Sequence, residues 1–179
     1  MKTCPHCKEE KPLSEFHVDG TQAYCKKCVN DRSHKAYVKG RIIVKPIQEK
    51  YGVTRTDAAI IWGVKDQKTV EQFAKHIKLN EETGCIEWTG ATLNGYGIYK
   101  VNTGAVQLSA VKAHRFAWAM RHGIDAMPKA HGIGNKSDTL VLNHLCHNRK
   151  CVNPDHLEVI TQRENVSSAK RKPKESTDV

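Results

Sequence analysis

The chain has 179 residues, with 29 Lys and Arg against 19 Asp and Glu, so its formal net charge is +10 with His neutral. This length suits one mid-sized domain or two to three small ones. The positive balance favours a polyanionic partner, with nucleic acid ahead of an anionic membrane surface. No segment approaches the roughly 18 apolar residues of a membrane span, and the N-terminus lacks the charged-then-apolar pattern of a signal peptide. We therefore expect a soluble, cytoplasmic protein with no membrane partner.

The seven cysteines are better explained by zinc than by disulfides. An odd number argues against a complete disulfide framework, and thiolates in a reducing cytosol serve as zinc ligands. Four of them form two CxxC pairs typical of a zinc ribbon: Cys4, Cys7, Cys25 and Cys28. So short a segment cannot bury an adequate core, and a structural zinc ion would supply the missing stability. Residues 1–32 therefore predict a zinc ribbon, with Leu13 and Phe16 as an apolar cap over the metal.

The segment after the ribbon is basic. Residues 33–46 contain Gly40 and Pro46 as breaks, which predicts a basic linker. The positive charges of this segment would either lie along a phosphate backbone or only keep a flexible tether soluble. The lysines of the ribbon have the same two interpretations, since they could contact DNA or form a solvated face.

Residues 47–78 predict a helical segment with a glycine turn at Gly52 and a helix cap at Thr54. Two helices joined in this way resemble a helix-turn-helix. In that case the start of the second helix would face base edges, through Arg55, Thr56 and Asp57. The favoured alternative is a plain helical core made by Ile60, Ile61, Val64, Val70 and Phe73.

Residues 79–169 predict a mixed unit that begins with a strand at 83–88. Two further strands, 95–101 and 105–109, are joined by Asn102-Thr103-Gly104, which suits a hairpin. A twisted hairpin can enter the major groove, so its polar residues are candidate DNA contacts: Lys100, Asn102, Thr103 and Gln107. A helix is expected from Ala113 to Met120, ended at Gly123.

The segment from Thr139 to Arg171 predicts strand, loop, strand and helix. Leu140 to Leu142 is a short apolar run that leads into Asn143 and His144, and Leu157 to Ile160 is the second strand. Thr161 and Glu164 fit a capping box at the start of the helix. Asn165 then falls in the first helical turn.

This unit contains two sets of chemically active residues. Cys146, Cys151 and His156 have zinc-ligand spacing, and Cys85 is the cysteine left over to complete a four-ligand site. His144 is a candidate general base. The oxygen of Asn165 is a hard ligand suited to magnesium. One base and one hard cation are typical of metal-assisted phosphodiester hydrolysis.

The run His144-Leu145-Cys146-His147-Asn148, with Cys151-Val152-Asn153-Pro154-Asp155-His156-Leu157 and Asn165, resembles the ββα-metal (His-metal finger) nucleases. Among them it is most similar to His-Cys box homing endonucleases and phage HNH proteins. The resemblance implies that His144 is the base, that Asn165 holds Mg²⁺ (or Mn²⁺), and that Arg115 lies near the scissile phosphate. The alternative for Arg115 is a salt bridge or a surface position. It also implies a structural zinc at the loop ligands.

One position departs from the family pattern, because many HNH enzymes have Asp where this chain has Asn143. Either Asn143 adds a neutral oxygen to the metal, or Asn165 and substrate phosphates hold the ion nearly alone.

Together these features predict an α+β protein with a ββα-metal nuclease domain at 79–169 and a basic, disordered tail at 170–179, where Lys170 and Arg171 would attract phosphates. The expected function is a DNA endonuclease that acts on double-stranded DNA, site-specific and of phage or mobile-element origin. It would use one catalytic metal and two structural zinc ions. The alternative is a zinc-dependent DNA-binding regulatory protein without catalysis. Cutting RNA is disfavoured by the resemblance, and a homodimer is left open.

Overall fold

The computed structural model describes residues 1–16, 23–103, 107–128 and 138–170, with side chains described as far as residue 167. In chain order the elements are β1 (Lys2–Thr3), β2 (Glu10–Lys11), α1 (Lys26–Tyr51), α2 (Arg55–Gly63), α3 (Gln67–Ala74), β3 (Ile77–Leu79), β4 (Ile86–Trp88), β5 (Thr92–Leu93), β6 (Tyr96–Asn102), β7 (Gln107–Lys112), α4 (Ala113–His122), β8 (Leu140–His144), β9 (Leu157–Thr161) and α5 (Gln162–Lys170). The strands pair as β1–β2, β3–β4, β5–β6–β7 and β8–β9, all antiparallel. This mixture of helices and antiparallel strands confirms the α+β class.

Helix α1 runs without a break through the predicted linker, so the linker prediction at 33–46 was wrong. The helix begins after Cys25 and ends at Gly52, which has a φ of 60°. Its buried side has helical spacing and consists of Gly40, Ile43, Val44 and Ile47. This side packs against α2 and β7. That packing outweighs the helix-breaking tendency of Pro46, which removes one backbone donor.

One apolar core joins α1, α2 and α3 to the strands and helix that follow. At its centre the Phe73 ring lies 5.1 Å from Trp88, 5.1 Å from Tyr99 and 4.9 Å from Phe116, measured between ring centroids. Strand β3 lies across the expected boundary at 78/79 and pairs with β4. The predicted division between 47–78 and 79–169 is therefore not a structural division, because the helical face of the first segment is covered by the second.

Helix α2 belongs to this core and does not present a free recognition surface. The Gly52 turn and the Thr54 cap are present, with the Thr54 hydroxyl accepting from the Asp57 backbone N–H at 3.2 Å. However, Arg55 Nε donates to the Leu108 carbonyl at 3.1 Å, and Asp57 is 7% exposed. Thr56 Oγ1 lies 3.5 Å from Ser109 Oγ. The start of α2 thus faces β7 and the core, as in the helical-core alternative.

The β6–β7 pair forms the predicted hairpin, and its second strand is described from Gln107 onward. Residues 104–106, which include part of the predicted turn, lie outside the described residues. Helix α4 follows directly and ends at Gly123, as expected. None of the helices in the described ranges combines the length and apolar character that crossing a membrane requires.

Candidate active site

The β8–β9 hairpin and α5 form a strand–strand–helix unit. In the hairpin His144 pairs with Leu157 and Leu140 pairs with Thr161. The capping box closes the helix start: the Thr161 backbone N–H donates to Glu164 Oε2 at 2.8 Å, and the Glu164 N–H donates to Thr161 Oγ1 at 3.2 Å. Hydrogen bonds from Thr161 lower the pKa of Glu164. Helix α5 packs against both strands, and Asn165 lies near its start.

The loop between the two strands contains three of four candidate metal ligands, Cys146, Cys151 and His156, and Cys85 before β4 is the fourth. These four residues are here named the loop cluster. Their ligand atoms all lie within 4.8 Å of one another. His156 Nδ1 is 3.5 Å from Cys85 Sγ and 3.7 Å from Cys151 Sγ. Three thiols and one imidazole at these separations suit tetrahedral zinc. Burial raises the pKa of Cys151 to about 12 and also raises that of Cys146, and a bound cation would stabilise their thiolate forms.

Backbone pairing explains how Cys85, about sixty residues before the loop, reaches this cluster. Strand β4 pairs with the loop through two hydrogen bonds, from the Val152 N–H to the Ile86 carbonyl at 2.7 Å and from the Trp88 N–H to the Lys150 carbonyl at 2.9 Å. The Asn153 amide also donates to the Gly84 carbonyl at 3.0 Å. The sequence prediction gave Asn153 no role, and the structure makes it the link between the two ligand-bearing segments.

His144 is 6% exposed, at the end of β8. Its Nε2 lies 3.0 Å from the backbone carbonyl of Cys151. A carbonyl can only accept, so Nε2 donates the hydrogen and Nδ1 retains its lone pair. Burial lowers the pKa of His144, and the charges of Lys112 and Arg149 lower it further. A neutral imidazole with a lone pair on Nδ1 is the form that a general base requires.

Two aromatic rings lie beside His144. The His114 ring lies 4.7 Å from the His144 ring and the Tyr96 ring lies 5.9 Å from it, between centroids. Burial lowers the pKa of His114 well below its usual range, so its ring places no positive charge against His144. Its Nδ1 has no hydrogen-bond partner among the described residues. The sequence interpretation assigned a role to neither residue, because nothing local connects them to His144.

Arg115 is engaged elsewhere. Its guanidinium forms a salt bridge with Asp57 at 3.0 Å and donates to the Pro128 carbonyl at 3.0 Å. Both charged side chains are largely buried, at 15% and 10% exposed. The structure therefore shows the salt bridge for Arg115, the alternative to the expected phosphate contact. An arginine paired to a buried carboxylate is costly to detach, because the carboxylate would be left without a partner.

The amide nitrogen of Asn143 is also occupied, since it donates to Glu158 Oε1 at 2.8 Å across the hairpin. The hairpin residues proposed to contact DNA are exposed: Lys100, Asn102 and Gln107. The side chain of Lys170 and the whole of residues 171–179, including Arg171, lie outside the described parts of the chain.

A second group of ligands, here named the N-terminal cluster, contains Cys4, Cys7, Cys25 and Cys28, with all sulfurs within 4.8 Å of one another. Phe16 is 3% exposed and packs with Cys4 and Cys25, whereas Leu13 is 66% exposed. Only Phe16 thus forms the expected apolar cap. The donor set suits a structural zinc ion, as the CxxC pairs predict.

Comparison with known proteins identifies the unit around His144. Residues 111–167 match the family model described as HNH endonuclease. These residues form an HNH endonuclease domain. The HNH domain starts in β7, includes α4 and the whole hairpin, and ends in α5. Cys85, the fourth ligand of the loop cluster, therefore comes from outside the matched segment.

The chain is also similar to a phage protein. "Protein 2.8" of Escherichia phage T7 is 34% identical over 97 residues, which are 53% of this chain and 55% of the phage protein. The chain thus spans about half the length of that relative. No solved structure matches the chain significantly.

Proposed function

We propose that the protein is a metal-dependent DNA endonuclease in which His144 is the general base. The observation that carries the proposal is the hydrogen bond from His144 Nε2 to the Cys151 carbonyl at 3.0 Å. It leaves Nδ1 to take a proton from water, and the resulting hydroxide attacks the phosphorus. The match of residues 111–167 to the HNH endonuclease family supports this reaction class.

Asn165 is the residue that would hold Mg²⁺, together with phosphate oxygens of the substrate. The bound ion would stabilise charge on the phosphate and on the leaving oxygen. The amide oxygen is a hard donor of the kind that Mg²⁺ prefers, and the capping box fixes the helical turn on which Asn165 lies. Asn143 could add a second neutral oxygen, since its amide nitrogen, and not Oδ1, forms the hydrogen bond with Glu158.

The loop cluster would hold a structural zinc that positions the base. Cys151 belongs to the cluster through its sulfur and accepts from His144 through its backbone carbonyl. A displacement of Cys151 therefore moves the hydrogen-bond acceptor that orients His144. Zinc here performs no chemistry, and its effect on cleavage is transmitted through geometry.

The substrate is double-stranded DNA in this proposal, and cleavage is site-specific, as in phage and homing nucleases. The exposed Lys100, Asn102 and Gln107 of the β6–β7 hairpin are the proposed base and phosphate contacts. Sequencing the ends of cleaved DNA would reveal the target, the polarity and the stagger. A target-independent distribution of ends would contradict site specificity.

The test is plasmid cleavage with magnesium and then with EDTA, using wild type, His144→Ala and His144→Gln. We expect magnesium-dependent nicking or linearisation by wild type, and a loss of about 10²–10⁴-fold in both variants. Gln retains an amide N–H for the Cys151 carbonyl, so this variant separates loss of the base from loss of the fold. His122→Ala, an exposed histidine at the end of α4, is the matched control and should cut normally.

Two results would contradict the proposal. If both His144 variants cut at the wild-type rate, the base has been assigned wrongly. If wild type shifts DNA on a gel without cutting it in magnesium, the protein is a zinc-dependent DNA-binding protein and not a nuclease.

A further inference from the structure

Two positively charged side chains converge on one aromatic ring beside the proposed base. Lys112 Nζ lies 4.4 Å from the centroid of the Tyr96 ring, and Arg149 Cζ lies 5.4 Å from it. The same ring lies 5.9 Å from the His144 ring. Lys112 ends β7, Arg149 lies in the metal-ligand loop and Tyr96 begins β6, so three separate segments place two cations next to His144.

Arg149 is held in place by a tight turn. The turn between β5 and β6 is Asn94-Gly95, and both residues have positive φ, 52° and 82°. Arg149 Nη1 donates to the Asn94 carbonyl at 3.3 Å. A Cβ atom at Gly95 would lie 3.3 Å from Arg149 Cδ. The turn thus leaves room for the arginine stem and fixes the guanidinium, which reduces the entropy lost when it binds a ligand.

Neither cation has an acidic partner among the residues that the structure describes, in contrast to Arg115 with Asp57. The pKa of Lys112 is lowered by the partial burial of its side chain and then by the nearby charges of Arg115 and Arg149. Like charges held close together destabilise the free protein. An anion between them would remove that cost, and a phosphodiester is the anion that the proposed reaction brings to His144.

We propose that Lys112 and Arg149 together bind the oxygens of the phosphodiester that His144 acts on. This inference rests on the proposed function and assigns to these two residues the role expected of Arg115. Lys112 supplies a point charge and Arg149 a planar fork, which suits two oxygens of one phosphate. The Tyr96 ring keeps both at a fixed distance from the base.

The first test measures phosphate contact without cleavage. His144→Gln keeps the DNA intact, and Lys112→Met and Arg149→Met are added to it separately in the full chain. The affinity for a fluorescent duplex is measured by anisotropy over a range of salt concentrations. We expect the slope of log affinity against log salt to become shallower by about one for each variant. Unchanged slopes in both would overturn the proposal, whether or not the wild type cuts DNA.

The second test asks whether the bound phosphate is the one attacked. Single-turnover cleavage at saturating protein is compared for Lys112→Met, Arg149→Met and the control Lys150→Met, an exposed lysine next to Arg149. We expect about a 100-fold loss for the first two and no more than a twofold change for the control. Lys112→Arg and Arg149→Lys, which keep the charge, should recover much of the rate.

The outcomes separate this inference from the proposed function. Shallower slopes with unchanged cleavage would mean that these residues contact a phosphate other than the scissile one, which overturns the inference and leaves the nuclease intact. If the wild type does not cut at all, the proposed function fails. The salt dependence of DNA affinity then decides by itself whether Lys112 and Arg149 contact a phosphate. Melting temperatures equal to that of the wild type would exclude misfolding of the variants. We expect them to be equal because both side chains are exposed.

Discussion

The two metal-ligand clusters have similar donors and different surroundings. The N-terminal cluster forms its own small core, in which Phe16 packs with Cys4 and Cys25. The loop cluster lies against the main core, where β4 pairs with the loop on both sides of Cys151. A Cys151 backbone atom also orients His144. The same ligand chemistry therefore has two uses: in one place it replaces a missing core, and in the other it holds the carbonyl that accepts from His144, the base in our proposal.

The largest effect should follow from Cys151→Ala. The substitution removes one of four ligands, and structural zinc sites contribute on the order of 10–16 kcal/mol in small modules. Because β4 and the loop pair through residues 150 and 152, we expect a lower melting temperature of the main core, complete loss of cleavage and one zinc ion fewer per chain. Circular dichroism measures the melting temperature, a plasmid assay measures cleavage, and metal analysis measures the zinc content. Retained cleavage would show that the loop cluster does not position His144.

The N-terminal cluster should respond differently to Cys28→Ala. Its local core is separate from the main one, so we expect loss of one zinc ion and early proteolysis before α1, with the main melting transition unchanged. Single-turnover cleavage at saturating protein should stay within about threefold of wild type, because no catalytic contact is removed. A large loss of rate at saturation would mean that the two clusters are functionally coupled.

The contrast between the clusters also explains what the sequence could predict. Both predicted ligand sets come together in the structure, because cysteine spacing is local and Cys85 was the cysteine left over to bring the loop cluster to four. The ββα unit was correct because the Thr161–Glu164 capping box and the two apolar runs lie within one short segment. Local chemistry was sufficient wherever one stretch of chain contained the whole feature.

The failures concern contacts between distant segments. The partner of Arg115 is Asp57, in another helix, and no local pattern connects them. Gly40 and Pro46 predict a break, but tertiary packing of Val44 and its helical neighbours keeps α1 continuous. Lys112 and Arg149 both lie near the Tyr96 ring, although they come from separate segments of the chain. Only the fold brings such residues together.

The smallest effect tests whether the loop cluster alone fixes α5, the helix that contains Asn165. Thr161→Ala removes the hydroxyl that accepts from the Glu164 N–H and donates to its carboxylate at 2.7 Å. We expect a loss of about 1 kcal/mol in the free energy of unfolding, measured by urea denaturation. Both zinc ions should remain bound, because Thr161 contacts neither cluster among the described residues.

Cleavage by this variant should fall only modestly and should recover when magnesium is raised, because a frayed first turn weakens the hold of Asn165 on the ion and leaves His144 in place. Thr161→Ser keeps the hydroxyl and should behave as wild type. If Thr161→Ala instead lost cleavage as completely as Cys151→Ala, the cap would be as important as the loop cluster. The position of α5 would then depend on its own first turn as much as on the metal-bound loop.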